Sequence, residues 1–376
     1  MQEPERKYDP TLVQTMRDKA WTQDVYGVET LFKPVPDTDE RHVIDPRIAQ
    51  VIEKKLKMFS DRAQGGWRLS NERFRPDKVT YDLTTTAVEV DERLIPIDDD
   101  HYIDLYSYRA EGAPSGSPIL IYLHGGGFTA GDMRLYANQM KLVAELSGAI
   151  AVFPEYRLAP ECPFPGPIQD AWGTVRWVHE HAAELGGDGN KIVVAGDSAG
   201  GSLTAACVQK DIEQAAAGGE RLIKKIVAIY PGWDLRDWRT LTDYTWSYDE
   251  YPVRPDQFEM AKSRIERIRS GTEDSTNSSS NLYIQGKTTS DDPLVNLAAA
   301  PDEVIASFPE TLVISSEYDY LRVGADHLAR RMQDLGVSVR NMRYCGCDHG
   351  FFDMLGTYVQ AEELCLTLAD EIRALA

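Results

Sequence analysis

KIVVAGDSAGGSLTAACVQK, residues 191–210, sets a serine between two glycines where an apolar, β-branched run gives way to an alanine-rich one. KIVVA reads as a strand buried on both faces, and Leu203, Ala206 and Cys207 as the apolar side of a following helix. A glycine–x–serine–x–glycine pattern carries little weight alone. Between a strand and a helix it acquires a steric meaning, because so sharp a reversal forces Ser198 into a strained backbone conformation and leaves no room for β-carbons two residues away. Gly196 and Gly200 answer that demand. The helix starting after Ser198 turns its free N–H groups and the positive end of its dipole toward the same point.

Strands of the same kind recur around this one. PILIYL (118–123), AIAVF (149–153), IKKIVAIY (223–230) and ETLVISS (310–316) are rich in Ile and Val, and VSVRNMRY (337–344) reads as the last strand. Helical spacing separates them: Ala171, Val175, Val178, Ala182 and Leu185; then Leu328, Met332 and Leu335, stopped by Gly336; then Leu364, Leu368, Ile372 and Leu375. This alternation predicts an α/β fold, a mostly parallel central sheet with helices on both faces. RLIPIDDDHYIDLYSYR (93–109) predicts an antiparallel hairpin at the sheet's edge, with Asp98, Asp99 and Asp100 in a turn that favours aspartate without any metal. Two stretches break the rhythm. Residues 1–92 carry helix-like pieces such as PRIAQVIEKKLKMF (46–59) ahead of any sheet strand. Residues 233–292 are aromatic and charged, and contain GTEDSTNSSSN (271–281), a run too polar to order itself and expected to be a mobile loop.

The 376 residues, 42% hydrophobic and 27% charged, suit a globular chain able to bury a large core. A net charge of -20 opposes nucleic acid and anionic membrane surfaces, which would repel the chain at long range. No run approaches the ~20 apolar residues of a membrane span, and MQEPERKYDP lacks the apolar stretch of a signal peptide. The expected localisation is cytoplasmic. Five scattered cysteines fit reduced thiols there.

A hydroxyl is a weak nucleophile at neutral pH and needs a base, which in turn needs an orienting acid. His42 and His101 precede the serine; His179, His181 and His327 fall in helical runs. His349, in CDHGFF, follows the last strand, and Asp319, in SSEYDYLR, follows the strand before it. Serine, acid, histidine is the chain order such sheets require. LHGGGF (123–128) follows an earlier strand and offers glycine amides to a developing oxyanion. Cys345 and Cys347, separated by one residue, are too close for the usual zinc chelate, so no metal is expected. No cofactor is expected either.

At these motifs the chain resembles the hormone-sensitive lipase family of α/β-hydrolase esterases. HGGGF (124–128), GDSAGG (196–201), YRLAPE (156–161), DDPLVNLAAA (291–300) and HGF (349–351) carry the resemblance, which runs from about residue 93 to the end. It implies an α/β-hydrolase fold with a mostly helical cap. The implied division is an N-terminal segment contributing to the cap (1–92), a catalytic domain in two parts (93–232 and 293–376) and a cap insertion (233–292). It also implies Ser198 as nucleophile, His349 as general base then acid, and Asp319 as orienting acid. Gly126, Gly127 and Ala199 would donate the oxyanion-hole amides, with His124 and Gly125 shaping the loop. One departure stands out: the family's DPLRDE reads DYLRVG at Asp319–Gly324, which leaves Glu317 as a fallback acid.

The reading is a serine carboxylesterase for short-to-medium acyl or aryl esters. Its partner is a small-molecule ester, and a homodimer is left open. Two alternatives stand beside it: a ligand receptor without catalysis, as in the gibberellin receptors of the family, which lack the base that His349 would supply; and amidase, acyltransferase or dehydratase chemistry in the same pocket. Arg157 and Glu161 are expected to form a buried ionic brace. Trp233, Trp238, Tyr244, Trp246, Tyr248 and Tyr251 serve either an acyl pocket or the core of the insertion.

Overall fold

The computed structural model describes residues 4–60, 69–74, 78–98, 100–272 and 279–375. Its strands are β1 (Trp21–Val25), β2 (Val28–Lys33), β3 (Val88–Asp98), β4 (His101–Ala110), β5 (Ser117–Leu123), β6 (Ile150–Pro154), β7 (Gly187–Asp197), β8 (Ile223–Ile229), β9 (Glu310–Tyr318) and β10 (Val339–Asp348). They form one sheet ordered β1-β2-β10-β9-β8-β7-β5-β6-β4-β3. Neighbours from β2 through β6 are parallel, while β1 with β2, β4 with β6, and β3 with β4 are antiparallel.

Alternation along the central strands divides the core in two. Leu120 and Tyr122 of β5, Val193 and Ala195 of β7, and Val227 and Ile229 of β8 face one cluster. Ile119, Ile121, Ile192, Val194, Ile226 and Ala228 face the other. Such strands read as unbroken apolar runs because both faces are covered. Leu364 and Leu368 of helix Val359–Arg373 and Met140 and Val143 of helix Met133–Ser147 close the first face. Val175 of helix Gly166–Glu180, Leu203 of helix Ala199–Ala216 and Leu328 of helix Leu321–Asp334 close the second. Each fully buried Leu, Ile or Val contributes roughly 1.5–3 kcal/mol by leaving water.

The expected edge hairpin is β3–β4, and the Asp100 N–H donates to Asp98 Oδ1 (3.1 Å) in its turn. Asp99 lies outside the described residues. The N-terminal segment departs from the expectation that helices precede any sheet strand: β1 and β2 form a hairpin, and β2 pairs in parallel with β10. The two-residue turn Tyr26-Gly27 has positive φ at both positions (52° and 88°), the conformation that matches strand twist in tight hairpins. Alternation in VETLFK, with Val28, Thr30 and Phe32 buried and Glu29 exposed, is the signal for β2. Residues 233–292 intervene between β8 and β9, with helices Phe258–Thr272 and Ser279–Ile284. Of the polar run 271–281, Gly271 and Thr272 end the first of these helices and Ser279 starts the second; residues 273–278 lie outside the described residues. No helix among the described residues is long and apolar enough to cross a membrane.

Glu155, just beyond β6, accepts the Met133 N–H (2.5 Å) at the start of helix Met133–Ser147. Burial pushes its carboxyl from 4.5 up to about 7, against the pull of that hydrogen bond and with Asp132 and Asp104 adding to the rise. The folded carboxyl therefore holds its proton more tightly than the unfolded one. Its stabilising contribution is fully present below about pH 4.5 and is lost as pH rises through about 7. Glu155→Gln is expected to remove about 1–3 kcal/mol of this pH dependence, read from urea unfolding across that range. An unchanged slope would contradict it.

Candidate active site

Strand β7 ends at Asp197, and Ser198 begins the reversal with φ 54° and ψ -118°. A non-glycine residue held there costs on the order of 1–3 kcal/mol, and the fold sustains it through the Ser198 N–H, which donates to the Ile229 carbonyl (2.9 Å). Gly200 shows why a side chain is forbidden: a β-carbon would stand 1.9 Å from the Leu123 carbonyl oxygen. The serine turn and the glycine loop after β5 are therefore packed backbone to backbone.

Loops after β9 and β10 bring the other two groups. Asp319 Oδ2 lies 2.6 Å from His349 Nδ1, and His349 Nε2 lies 2.8 Å from Ser198 Oγ. In the tautomer that carries its proton on Nδ1, the imidazole donates to Asp319 and leaves Nε2 to accept from the serine hydroxyl. Asp319 is fully buried, and its Oδ1 accepts the Leu321 N–H (3.0 Å), which fixes the carboxylate plane. Glu317 is engaged elsewhere, accepting the Gly346 N–H (2.8 Å) and facing His42 Nδ1 (3.1 Å). Tyr320, where the family has proline, takes φ -55°, a value a proline ring would impose.

The glycine loop is anchored by Asp197. Its Oδ1 accepts the Gly125 N–H (2.8 Å) and the Tyr122 hydroxyl (2.8 Å), and its Oδ2 the hydroxyls of Tyr136 (3.1 Å) and Tyr230 (3.4 Å). Burial raises the Asp197 carboxyl, and these donors oppose the rise. Gly126 has φ 130°, and a β-carbon there would meet the Ala130 carbonyl oxygen at 2.0 Å. His124 is buried, stacked on Tyr156 with ring centroids 4.2 Å apart, and the Tyr156 hydroxyl donates to the His124 carbonyl (2.6 Å). Tyr230 also packs its ring 4.8 Å from His349 and has a positive φ of 35°.

The insertion touches both loops. Arg264 Nε donates to Asp348 Oδ2 (2.6 Å) and Arg267 Nη2 to the His349 carbonyl (3.3 Å). Tyr283 stacks on Phe128 of the glycine loop at 3.9 Å. Sequence reasoning missed Arg264 and Arg267, whose charged helix carries no distinguishing pattern. It also missed Tyr122, Tyr136 and Tyr230, although for Tyr122 and Tyr230 a hydroxyl-bearing ring at the ends of β5 and β8 was a usable signal.

Several expectations change. Arg157 and Glu161 do not form the expected buried brace: Arg157 grips buried Asp170 (2.7 Å), and exposed Glu161 meets Arg73 (2.6 Å). Trp233 is buried and donates to the Gly201 carbonyl (2.9 Å), while Trp246 donates to the Tyr251 hydroxyl (2.9 Å) and packs against Trp238 and Tyr320. For these aromatics the internal packing role applies. Cys345 and Cys347 are buried, which pushes both thiols up, and no three His, Cys, Asp or Glu residues among those described group as metal ligands would.

A family profile described as an alpha/beta hydrolase fold matches residues 120–353. The chain is 28% identical over 317 residues to the carboxylesterase NlhH of Mycobacterium tuberculosis, covering 84% of this chain and 90% of the relative. It is 38% identical over 123 residues to human hormone-sensitive lipase, covering 33% of this chain and 11% of the lipase. A hyperthermophilic esterase from Pyrobaculum calidifontis superposes with a TM-score of 0.66 at 25% identity, over 88% of this chain and 98% of that one. With its sheet order, its strained serine turn and this matched span, the chain belongs to the α/β-hydrolase family, on its hormone-sensitive lipase-like branch.

Proposed function

We propose that this protein is a serine carboxylesterase acting on short-to-medium acyl or aryl esters. The observation that carries the reading is the hydrogen-bonded series Ser198 Oγ–His349–Asp319 at a strained serine turn. In this mechanism Ser198 Oγ attacks the ester carbonyl carbon as His349 Nε2 takes its proton, and the imidazolium is stabilised by Asp319. The tetrahedral oxyanion rests on the amides of Gly126, Gly127 and Ala199, the last at a helix start where N–H groups have no intrahelical acceptor. Collapse breaks the bond to the alcohol, which leaves with the proton from His349. Water then attacks the acyl-enzyme, gives its proton to His349, and the acid departs as Ser198 recovers its hydrogen. The insertion 233–292 acts as the cap over this site, with Arg264 and Tyr283 as its contacts to the two catalytic loops, and of segment 1–92 only the part outside the sheet strands contributes to it.

The test pairs labelling with a substrate panel. An organophosphonate is expected to add once per chain, on the peptide containing Ser198, by mass spectrometry. p-Nitrophenyl esters of graded acyl length are expected to turn over faster than matched anilides, with the optimum at short to medium chains. Labelling elsewhere, or faster cleavage of the anilides, would overturn the assignment. Labelling without turnover of any ester would favour the receptor reading.

A further inference from the structure

His349 projects from a strand that has lost its register. β10 pairs residue for residue with β9 from Val339 to Tyr344, and the next pair is Asp348 with Tyr318, so Cys345, Gly346 and Cys347 stand opposite Glu317 alone. On its other side β10 is paired with β2 only as far as Tyr344. Gly346 takes φ 70° in this bulge, and its N–H is satisfied by the Glu317 carboxylate (2.8 Å). Gly350, just past the histidine, takes φ 84°. Bulges beside active sites re-aim the side chains that follow, with loss of ladder hydrogen bonds. β7, by contrast, is paired with β5 up to Gly196 and with β8 up to Asp197. The sheet therefore holds the turn that carries His349 less firmly than it holds Ser198.

The insertion supplies a hold from outside the sheet. Its helix Phe258–Thr272 buries Ala261 and Ile265, each 1% exposed, in the apolar cluster that includes Tyr318 and Tyr358. Arg264, one residue before Ile265, donates from Nε to Asp348 Oδ2 (2.6 Å), and the two side chains are 11% and 9% exposed. One turn on, Arg267 Nη2 reaches the His349 carbonyl (3.3 Å). A charge-assisted hydrogen bond removed from water is stronger, and less screened by salt, than one on the surface. Successive side chains of an extended chain point to opposite sides. Here Asp348 reaches the insertion and His349 reaches Ser198. Fixing the Asp348 carboxylate thus fixes the backbone from which the imidazole projects.

We infer that Arg264 is a positioning residue: it acts through Asp348 to hold His349 within reach of Ser198, so the insertion helps to assemble the reacting geometry as well as to cover it. This rests on the serine esterase reading of the site. The distance at stake is the 2.8 Å from His349 Nε2 to Ser198 Oγ. A misplacement of about 1 Å in such a group costs on the order of 100-fold. Arg264 acts on the base and not on the ester, so its loss falls on kcat and leaves KM in place.

The experiment measures kcat and KM for a p-nitrophenyl ester, per active site titrated with an organophosphonate, in Arg264→Ala, Asp348→Asn and the double variant. Each is expected to lose about 10- to 100-fold in kcat per titrated site, with KM within about threefold of the parent. The double variant is expected to lose no more than the worse single one, because both changes break one contact. Arg264→Lys, which keeps a cation for Asp348, is expected to recover most of the loss. Because the double variant removes both charges together, it reports on the contact even where Arg264→Ala fails to fold. Unchanged kcat per titrated site in the double variant, multiplicative losses from the two single changes, a loss confined to the titrated fraction, or a raised KM at constant kcat would each overturn the inference. A parent chain that is labelled but turns over no ester would instead remove the esterase reading, and this inference with it.

Discussion

Ser198→Ala is expected to lower kcat for a short p-nitrophenyl ester by about four to six orders of magnitude, with KM changed by less than about tenfold. The asymmetry follows from position. In the proposed mechanism Ser198 Oγ forms its bond only as the reaction proceeds, whereas the surfaces that hold the ester remain in the variant. Residual turnover above the uncatalysed rate is expected, because the substitution leaves the proposed oxyanion amides of Gly126, Gly127 and Ala199 in place and a water can replace the hydroxyl. Folding is expected to be retained or slightly improved, since the methyl group adds no strain beyond that already present at φ 54°. Single-turnover kinetics with thermal melts on the same preparation check both parts. Activity within tenfold of the parent would remove Ser198 from the mechanism.

Asp319→Asn is expected to cost on the order of 10⁴-fold in kcat. The amide preserves shape but can offer its NH₂ to His349 Nδ1, and a ring nitrogen that accepts there leaves Nε2 protonated and unable to take the serine proton. The 2.6 Å contact to His349 and the Leu321 N–H on the other oxygen leave the side chain little freedom to escape this choice. Glu317→Gln is the matched control. Its partners are Gly346 and His42, so kcat should fall by less than about tenfold. The reverse pattern, with Glu317→Gln the more damaging, would reassign the acid. Raising pH should not rescue Asp319→Asn, because the defect is a tautomer and not a charge.

The parts of the fold legible beforehand were those governed by strong local rules. β5, β7 and β8 are unbroken Ile/Val runs because both faces are covered, and Gly126, Gly196 and Gly200 are demanded by backbone oxygens that a β-carbon would meet at 2.0, 2.5 and 1.9 Å. Ser198, Asp319 and His349 could be named together because strand ends and chain order restrict where each can stand. The β1–β2 hairpin was harder to see. Its strands are short, and its turn uses Tyr26 at positive φ, where asparagine or aspartate would have advertised it. The partners of Arg157 and Glu161 were misjudged because ion pairs depend on tertiary placement: Asp170 is 13 residues away from Arg157 and Arg73 is 88 away from Glu161. The aromatic insertion was ambiguous for the same reason, since ring identity does not reveal which face meets another ring.

The N-terminal hairpin has a further consequence for how copies of this chain can meet. With β2 laid along β10, that strand has no open side, so two molecules cannot merge their sheets through β10. The outermost strands are instead β1, which exposes Thr22, Gln23 and Asp24, and β3, which exposes Glu89, Val90 and Glu92 and carries Pro96. Carboxylates and a proline along a free edge discourage strand addition. Among the described residues, the ten-stranded sheet of this acidic protein thus meets its surroundings at both margins with strands ill suited to strand addition.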